Sequence, residues 1–488
     1  MSRKKTITAA AGAAAVGGSI AAVAARRLRR SSAERIRIQR QATVVRLTVR
    51  NGARLVGARA LGRVAGAERR AELEATATIR TAEDVARELG QMKGALMKVG
   101  QLVSFIVEAL PDEAQEALAA LQADAPPMAP SLAAQVVRDE LGGDPERIFL
   151  DWSPEPVAAA SIGQVHRAVT RDGRHVAVKV QYPGIRDAIA ADLDNAEALY
   201  AVFAAFALKG LDTRALVDEL RARMAEELDY RHESRNQQEF AAHYAGHPFI
   251  RIPGVLPELS AERVLTTEWV DGQNWATFVR TASDADRQRA GEVIWRFAQG
   301  SILRFGAFNG DPHPGNYLFR PGGQVTFLDF GLVKRYAPDE VQLFENLIQA
   351  FVIERDVPKF RRVLEENDIL RPSDISDDDV REYFGHFYEF VESDEEIAFT
   401  PEYASETVRR MFDPSSPYAH VSRASNVPPA FVISQRINLG LHAVLGRLRA
   451  QRNWRRIAYE LWPWVDGPPS TPMGEAEAEW MRSRGYQP

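Results

Sequence analysis

Two neighbouring stretches decide the fold of the chain: PVAAASIGQVHRAV (Pro156–Val169) and HVAVKVQYPG (His175–Gly184). The first fits the phosphate-binding template G-x-G-x-x-G-x-V. The fixed positions of that template are occupied by Ala158, Ala160, Gly163 and Val165. Two template glycines are therefore alanines, whose Cβ atoms restrict the approach of backbone amides to phosphates. Gly163 still permits one close approach, so we interpret the loop as a retuned site.

Residue patterns around this loop predict an α+β chain. The two stretches alternate like strands, and RDG (Arg171–Gly173) between them is a typical hairpin turn. Helical periodicity follows over about 186–244, and VLTTEWVDG (Val264–Gly272) is typical of a strand that ends in a turn. The remainder is predominantly helical, except for two short strands predicted around RPGGQ (Arg320–Gln324). A mixed sheet lobe therefore precedes a helical lobe, and we expect the functional site between them.

Lys179 in VAVK lies in the middle of a predicted strand with apolar neighbours. An ammonium group there is costly unless it has an anionic partner. After a loop of this template, a kinase lysine contacts the α- and β-phosphates of ATP. Its carboxylate partner should come from the following helix, although the acidic and basic residues of that helix could instead form a solvated face. The candidate carboxylates are Glu227, Asp229 and Glu233.

The segment NGDPHPGN (Asn309–Asn316) carries the strongest local signal. Asp311 and Asn316 have the spacing of the base and the metal-ligand asparagine in a kinase catalytic loop. After a predicted hairpin, FLDFG supplies Asp329, whose carboxylate would complete an oxygen site for Mg²⁺ with Asn316. We interpret His313 as a structural residue of the loop, because no second histidine or cysteine lies at ligand spacing.

The sequence after Asp329 lacks the long activation segment of protein kinases. GLVKRYAPDEVQLFENLIQAF (Gly331–Phe351) passes directly into a predicted helix, with Pro338 near its start. Asp339 and Glu340 would lie in the first turn of this helix. Because that segment forms the platform for a peptide in protein kinases, a peptide-directed kinase is disfavoured.

In this order the motifs resemble the UbiB/AarF family of atypical kinases, which carry an alanine-rich loop. The most specific marker is KVGQ (Lys98–Gln101), which matches the K-x-G-Q signature of the family. AAASIGQVH, VAVKVQYPG, ELDYRHESRN, DPHPGN and LDFG match further family motifs. The resemblance covers about 81–336 and implies a two-lobed protein-kinase-like fold with an N-terminal helical extension. One departure is Asn309-Gly310, where the family more often has His-Ala.

The resemblance implies roles for the matched residues. Asp311 would be the catalytic residue of the loop, and Glu233 the ion-pair partner of Lys179. Asn316 and Asp329 would hold Mg²⁺. Lys98 and Gln101 would lie over the nucleotide cleft as regulatory residues, held by Glu227 and Asp229. The residues implied to bind ATP are Ala158, Ala159, Ala160, Ser161, Gly163, Val165, Lys179, Glu268 and Val270.

We divide the chain into an Ala/Arg-rich segment (1–75), a helical extension with KVGQ (76–150), an N-lobe (151–272) and a C-lobe (273–488). The first segment contains TITAAAGAAAVGGSIAAVAA (Thr6–Ala25), an uncharged run of about one membrane-spanning length. It predicts a membrane anchor or a disordered or interfacial segment. A secretory signal is disfavoured, because export would strand an ATP-dependent domain. The arginines that follow predict a basic surface near anionic lipid or a solvated helix face.

Composition narrows the function classes. The net charge of −5 over 488 residues gives no support to a nucleic-acid binder, and the lack of cysteine excludes disulfides and thiol catalysis. Family members support isoprenoid quinone biosynthesis or lipid metabolism at membranes. The resemblance therefore implies a cytoplasmic, membrane-associated kinase or ATPase that uses ATP and Mg²⁺, with a lipid or quinone-like ligand. The alternative is a pseudokinase scaffold or lipid-binding module without phosphoryl transfer, which has no need of the complete set of Lys179, Asp311, Asn316 and Asp329.

Overall fold

A computed structural model describes residues 128–160, 162–187, 189, 226–310, 312–372, 374–412, 416–426 and 429–485. The predicted Ala/Arg-rich segment (1–75) lies outside the described residues, and so do Lys98 and Gln101 of KVGQ. Ser161 and Asp311 also lie outside them. Within the described ranges, no helix is both long and apolar enough to cross a bilayer.

Helices and strands alternate in the first half of the described chain. In chain order they are α1 (Pro130–Leu141), α2 (Pro145–Ile148), β1 (Phe149–Trp152), β2 (Ala158–Ala160), β3 (Gly163–Thr170), β4 (His175–Gln181), α3 (Tyr230–His243), β5 (Ile250–Arg251), β6 (Val264–Glu268), β7 (Gln273–Asn274), α4 (Trp275–Thr281), α5 (Asp284–Phe305), β8 (Ala307–Asn309), β9 (Tyr317–Phe319), β10 (Val325–Phe327) and β11 (Val333–Arg335).

The second half is mostly helical, as the sequence predicts. Its elements are α6 (Pro338–Ile348), α7 (Val357–Glu366), α8 (Asp377–Gly385), α9 (Glu389–Glu392), β12 (Ile397–Ala398), α10 (Pro401–Phe412), α11 (Ala419–Ala424), α12 (Pro429–Leu448), β13 (Gln451–Arg452), α13 (Trp454–Leu461) and α14 (Pro472–Ser483). A π-helical turn, Gln349–Ile353, continues α6.

The N-lobe is an antiparallel five-stranded sheet. Its order is β1, β3, β4, β6, and β2 pairs with the free end of β3 beside β1. The predicted hairpin turn Arg171–Gly173 joins β3 to β4, with Gly173 at a positive φ of 87°. Because β1 begins at Phe149, the sheet crosses the predicted boundary between residues 150 and 151.

Alternation along β4 separates the apolar core from the cleft. Val176, Val178 and Val180 are fully buried and pack with helix α1. Lys179 lies between them in sequence, so the period of two along a strand places it on the other face of the sheet. The sequence therefore determines which face of the N-lobe presents the ammonium group.

The four strands β5, β10, β9 and β7 form a second sheet, in that order, on the C-lobe. The predicted hairpin around Arg320–Gln324 is confirmed, since β9 and β10 pair in antiparallel register. Strand β5 pairs in parallel with β10, although the sequence placed residues 250–251 in the N-lobe segment. Helix α5 passes through the C-lobe core, and Ser283 caps its first turn by accepting from the amide of Asp286.

A buried ion cluster fixes the last helix to α5. The guanidinium of Arg296, 1% exposed, contacts one carboxylate each from α5, α13 and α14. These partners are Glu292 at 3.0 Å, Glu460 at 2.8 Å and Glu477 at 2.9 Å. Arg304 and Arg452 supply further positive charge to Glu477 and Glu292. Paired charges of this kind tolerate burial only as a complete set, so the C-terminal helix belongs to the lobe.

The template glycine Gly163 has a packing role. A Cβ at this position would lie 2.2 Å from the carbonyl oxygen of Val180 on the neighbouring strand. The close approach that Gly163 permits is therefore between β3 and β4. From the sequence we predicted a close approach of Gly163 to a phosphate, because the template contains no information on the neighbouring strand.

We predict that Gly163→Ala lowers the free energy of unfolding by about 1 to 3 kcal/mol, because the strands must separate to admit the methyl group. Gly143→Ala is the matched control, since its Cβ would meet no atom closer than 3.5 Å. Chemical denaturation of both variants measures the difference. Equal stability of the two variants would show that β3 and β4 tolerate a side chain here.

A buried histidine predicts how stability depends on pH. His442 stacks on Phe399 with ring centroids 5.1 Å apart, and burial, aided by the charge of His386, lowers its pKa to about 3. Between pH 6.5 and about 3 the unfolded chain therefore binds a proton that the folded protein excludes, and stability falls as pH falls.

We predict that His442→Leu makes stability less dependent on pH over this window, by on the order of 1 kcal/mol per pH unit at its steepest. Leu364→Ala, at a buried apolar residue on α7, is the control that should lower stability by a similar amount at each pH and keep the wild-type slope. Denaturation midpoints measured from pH 7 to pH 4 test the prediction. Parallel curves for wild type and His442→Leu would refute it.

Candidate functional site

A lysine and two carboxylates meet in the cleft between the lobes. Nζ of Lys179 lies 2.9 and 2.8 Å from the two carboxylate oxygens of Glu233 and 3.4 Å from Oδ2 of Asp329. Strand β4, helix α3 and the segment after β10 each supply one of the three residues. The structure thus brings together three predicted site residues that lie up to 150 positions apart.

Burial and neighbouring charges shift the pKa values of Lys179 and Glu233 in this ion triad. The side chains of Lys179 and Glu233 are 15% and 4% exposed. Burial opposes the charged form of Lys179, but the charges of Asp329 and Glu233 outweigh it and raise the pKa of the ammonium well above its usual value. Burial also raises the pKa of Glu233 to about 7, against the pull of Lys179. Lys179 therefore opposes the effect of burial and favours the ionised form of Glu233.

The aromatic ring of Tyr230 packs against Lys179 of the triad. Its ring lies 5.0 Å from Nζ of Lys179, within the range of a cation–π contact. The residue is 1% exposed, and its hydroxyl has no hydrogen-bond partner among the residues that the structure describes. Sequence reasoning assigned no role to Tyr230, although its place in ELDYRHESRN, three residues before Glu233, puts both on one helix face.

The Asp329-Phe330-Gly331 turn is held by short contacts on each of its residues. Oδ1 of Asp329 accepts a hydrogen bond from the amide of Gly331 at 2.9 Å. Phe330 is fully buried against Phe240, with ring centroids 5.1 Å apart. The carbonyl of Asp329 accepts from Nδ2 of Asn309 at 2.7 Å. Asn309, a departure from the usual family residue, thus ties strand β8 to this turn.

Asn316 ends a short 3₁₀ turn, Pro314–Asn316, before β9. Its carbonyl accepts from the amide of Leu328 at 3.0 Å, which places Asn316 beside the residue that precedes Asp329. The carboxylate of Asp329 and the carboxamide oxygen of Asn316 are hard oxygen donors of the kind that suits Mg²⁺. Nδ1 of His313 accepts from the amide of Gly315 at 3.1 Å, in agreement with a structural role.

Of the three predicted partners for Lys179, only Glu233 contacts it among the described contacts. Asp229 caps helix α3 instead, since its Oδ1 accepts from the amide of Arg231 at 3.0 Å. Glu227 lies two residues before that cap. The predicted contacts of Glu227 and Asp229 with Lys98 and Gln101 stay predictions, because both KVGQ residues lie outside the described range.

The remaining nucleotide-binding candidates lie on the N-lobe sheet. Ala158, Ala159 and Ala160 form β2, which pairs with β3 so that Ala158 faces Val165. Glu268 ends β6, where its carboxylate accepts from the amide of Gly254 at 3.1 Å, and Val270 follows two residues later. We call the pair of β2 and β3 the alanine hairpin. This hairpin and the end of β6 lie on the two sides of β4, the strand that carries Lys179.

A buried polar chain in β3 was missed by the sequence reasoning. Nδ1 of His166 donates to the carbonyl of Ser153, and its Nε2 accepts from Nε2 of Gln164, both at 2.9 Å. Oε1 of Gln164 accepts from the amide of Met128 at 2.9 Å. Burial lowers the pKa of His166, in keeping with this neutral form. Two polar residues on the core face of GQVHRAV were the available signal, because buried polar groups require partners.

The predicted absence of a long activation segment is confirmed. Strand β11 follows Gly331 after one residue and pairs with β8, and helix α6 begins at Pro338. Asp339 and Glu340 lie in the first turn of α6, as expected. The chain after the Asp329 turn is therefore a short strand that leads directly into a helix.

This set of elements matches a known family. The profile of the ABC1 atypical kinase-like domain matches residues 120–364. The chain belongs to this family. Membership confirms the predicted resemblance to UbiB/AarF proteins, and the α+β kinase-like fold agrees with it. The predicted N-terminal helical extension lies largely outside the described residues.

Several relatives of this ABC1 chain carry kinase names. Arabidopsis thaliana ACTIVITY OF BC1 COMPLEX KINASE 8, chloroplastic, is 35% identical over 286 residues, which is 57% of this chain and 37% of the relative. An uncharacterized aarF domain-containing protein kinase of the same plant is 35% identical over 259 residues, covering 53% and 36%. The chain thus spans less than two thirds of the length of these curated relatives.

A solved structure is also similar. Rv3197 of Mycobacterium tuberculosis, in complex with erythromycin, is 30% identical with a TM-score of 0.58. The match covers 78% of this ABC1 chain and 95% of the solved one.

We predict that Lys179 and Glu233 are energetically coupled in the absence of any ligand. Lys179→Met leaves a buried carboxylate without its cation, and Glu233→Gln removes one of two anions around the ammonium. The double variant should be more stable than the sum of the two losses implies, by about 1 to 3 kcal/mol. Denaturation of the four proteins at pH 8, above the pKa of Glu233, measures this coupling. Additive effects would show that the ion pair contributes nothing to the fold.

Proposed function

We propose that this ABC1 protein binds ATP with Mg²⁺ and acts as an atypical kinase or ATPase that supports isoprenoid quinone or lipid metabolism at a membrane. The observation that carries the proposal is the ion triad of Lys179, Glu233 and Asp329. A buried ammonium held by one carboxylate, with a second carboxylate 3.4 Å away, is the arrangement that binds nucleotide phosphates and their metal ion in kinases. Relatives with kinase names support the same class of chemistry.

The chemistry of each side chain indicates its role in nucleotide binding. Lys179 would contact the phosphates, and Glu233 would fix its position through both carboxylate oxygens. Asp329 and Asn316 would hold Mg²⁺, which neutralises phosphate charge when bound. Asp311, which lies five residues before Asn316 in the sequence and outside the described residues, would orient the acceptor hydroxyl or a water molecule. The alanine hairpin of β2 and β3 would cover the phosphates.

The acceptor is proposed to be a small molecule or lipid. The short link from Gly331 through β11 to α6 leaves no long segment on which a polypeptide could dock. The plant relatives bear the words bc1 complex in their names, and the family resemblance points to quinones or lipids. The Arg-rich sequence between residues 26 and 70 would bring the lobes to an anionic membrane surface.

One observation favours a second function, the binding of a bulky ligand without phosphoryl transfer. The solved relative Rv3197 is in complex with erythromycin, a bulky molecule. Under this alternative the ion triad would serve stability alone. Phosphate release from ATP, measured with and without anionic liposomes, separates the two functions, because a ligand-binding module would release none under either condition.

We predict that MgATP raises the midpoint of thermal unfolding of the full chain by several degrees, whereas ATP with a chelator does not. Asp329→Asn should abolish most of this shift, because a neutral amide is a weak ligand for Mg²⁺. Asp339→Asn is the matched control, since this carboxylate lies at the first turn of α6 on the same segment.

The wild-type protein and the control should give equal shifts in the thermal assay. Absence of any MgATP effect on the wild type would overturn the proposed function. A shift retained by Asp329→Asn would place the metal elsewhere.

A further inference from the structure

Asn236 joins helix α3 to the Asp329-Phe330-Gly331 turn. This side chain is 4% exposed, and its Nδ2 donates to the carbonyl of Phe330 at 2.9 Å. Its Oδ1 accepts from the guanidinium of Arg335 at 3.0 Å. Because a guanidinium can only donate, Arg335 fixes which end of the carboxamide is oxygen and therefore directs the amide nitrogen at Phe330.

Arg335 closes the contact from strand β11. The same guanidinium nitrogen also forms an ion pair with Glu239, one turn further along α3. Both side chains are partly exposed, at 48% and 38%, so this pair adds little stability by itself. Its effect is positional, because it holds Arg335 where the buried oxygen of Asn236 needs a donor.

One face of α3 carries the whole arrangement. Glu233, Asn236 and Phe240 follow one another at spacings of three and four residues, which places them on one side of a helix. Glu233 holds Lys179, Asn236 holds the Phe330 carbonyl, and Phe240 packs against the Phe330 ring. Helix α3 thus contacts both the lysine and the turn that carries Asp329.

We propose that Asn236 and Arg335 are positioning residues, a latch that keeps Asp329 in its working place without any modification of the chain. In kinases with a long activation segment, a phosphorylated residue paired with arginine orders that segment. Here Arg335 comes from the short strand that replaces the segment, and its partners are an amide and a carboxylate of helix α3. The metal- and phosphate-binding groups of this chain are therefore set by folding, and their geometry is constitutive. This inference rests on the proposed function for its effect on catalysis.

The test uses the full chain with Asn236→Leu, which preserves volume and removes both hydrogen bonds. Hydrogen exchange measured by mass spectrometry should accelerate by about tenfold in peptides covering residues 329–335, while strands β3 and β4 keep the wild-type rate. The Mg²⁺ concentration for half-maximal MgATP hydrolysis should rise by about tenfold, because Asp329 is no longer fixed. Lys334→Ala is the matched control, since its ion pair is with Glu340 on α6.

A charge exchange provides the rescue. In Arg335→Glu the new carboxylate faces Glu239 and the oxygen of Asn236. This variant should therefore raise the exchange rate of residues 329–335 and the Mg²⁺ concentration for half-maximal hydrolysis. The double variant Arg335→Glu with Glu239→Arg should bring both values back towards those of the wild type. Wild-type exchange in residues 329–335 of Asn236→Leu would overturn the latch. Equal acceleration in β3, β4 and 329–335 would also overturn it, because that result indicates general destabilisation. If the wild type fails to hydrolyse or bind MgATP, the proposed function fails, and the exchange data alone still decide whether the latch exists.

Discussion

An ammonium group held between a buried carboxylate and a partly exposed one is the constraint on which this structure depends. Glu233 and Asp329 stabilise the charge of Lys179, and Lys179 in turn favours the ionised form of Glu233. The buried charges of Lys179 and Glu233 would each be costly alone, so folding must bring strand β4 and helix α3 together, with the Asp329 turn beside them. Helix α3 has the central place, since it contacts both of the other elements.

Residues of the C-terminal helix α14 and just after it form hydrogen bonds with the C-terminal end of α3. Nε1 of Trp480 on α14 donates to the carbonyl of Ala245, just after α3 ends, at 3.0 Å. Arg484 donates to the same carbonyl and to that of Ala242. Since Arg296 anchors α14 to the C-lobe core, the ion cluster and the triad are connected through packed helices. The last residues of the described chain therefore contribute to the position of Glu233.

Local sequence patterns predicted the parts of the site that depend on one element. The alternation in HVAVKVQ predicted the strand that carries Lys179, and the turn residues predicted the hairpins of β3–β4 and β9–β10. Pro338 with Asp339 and Glu340 marked the start of α6. In each case the physical signal lies within a few residues, because strand alternation, turn chemistry and helix starts are local properties.

Contacts between distant segments could not be predicted in the same way. The clash that makes Gly163 necessary comes from the backbone of Val180, and the partner of Asn236 lies 94 residues away. Nothing in GQVH identifies the amide of Met128, 36 residues earlier in the chain, as the partner of Gln164. Such partners follow from the packing of the whole lobe, so spacing along the chain does not encode them.

The central claim is that a nucleotide binds between the alanine hairpin and the Asp329 turn, against Lys179. Hydrogen exchange of the full chain with and without MgATP tests it most directly. The account predicts slower exchange on binding in three peptides only, around residues 158–165, 176–181 and 329–331, with the C-lobe helices unchanged. MgATP binding that leaves these three peptides at their free rates, or protects a different region, would contradict the account.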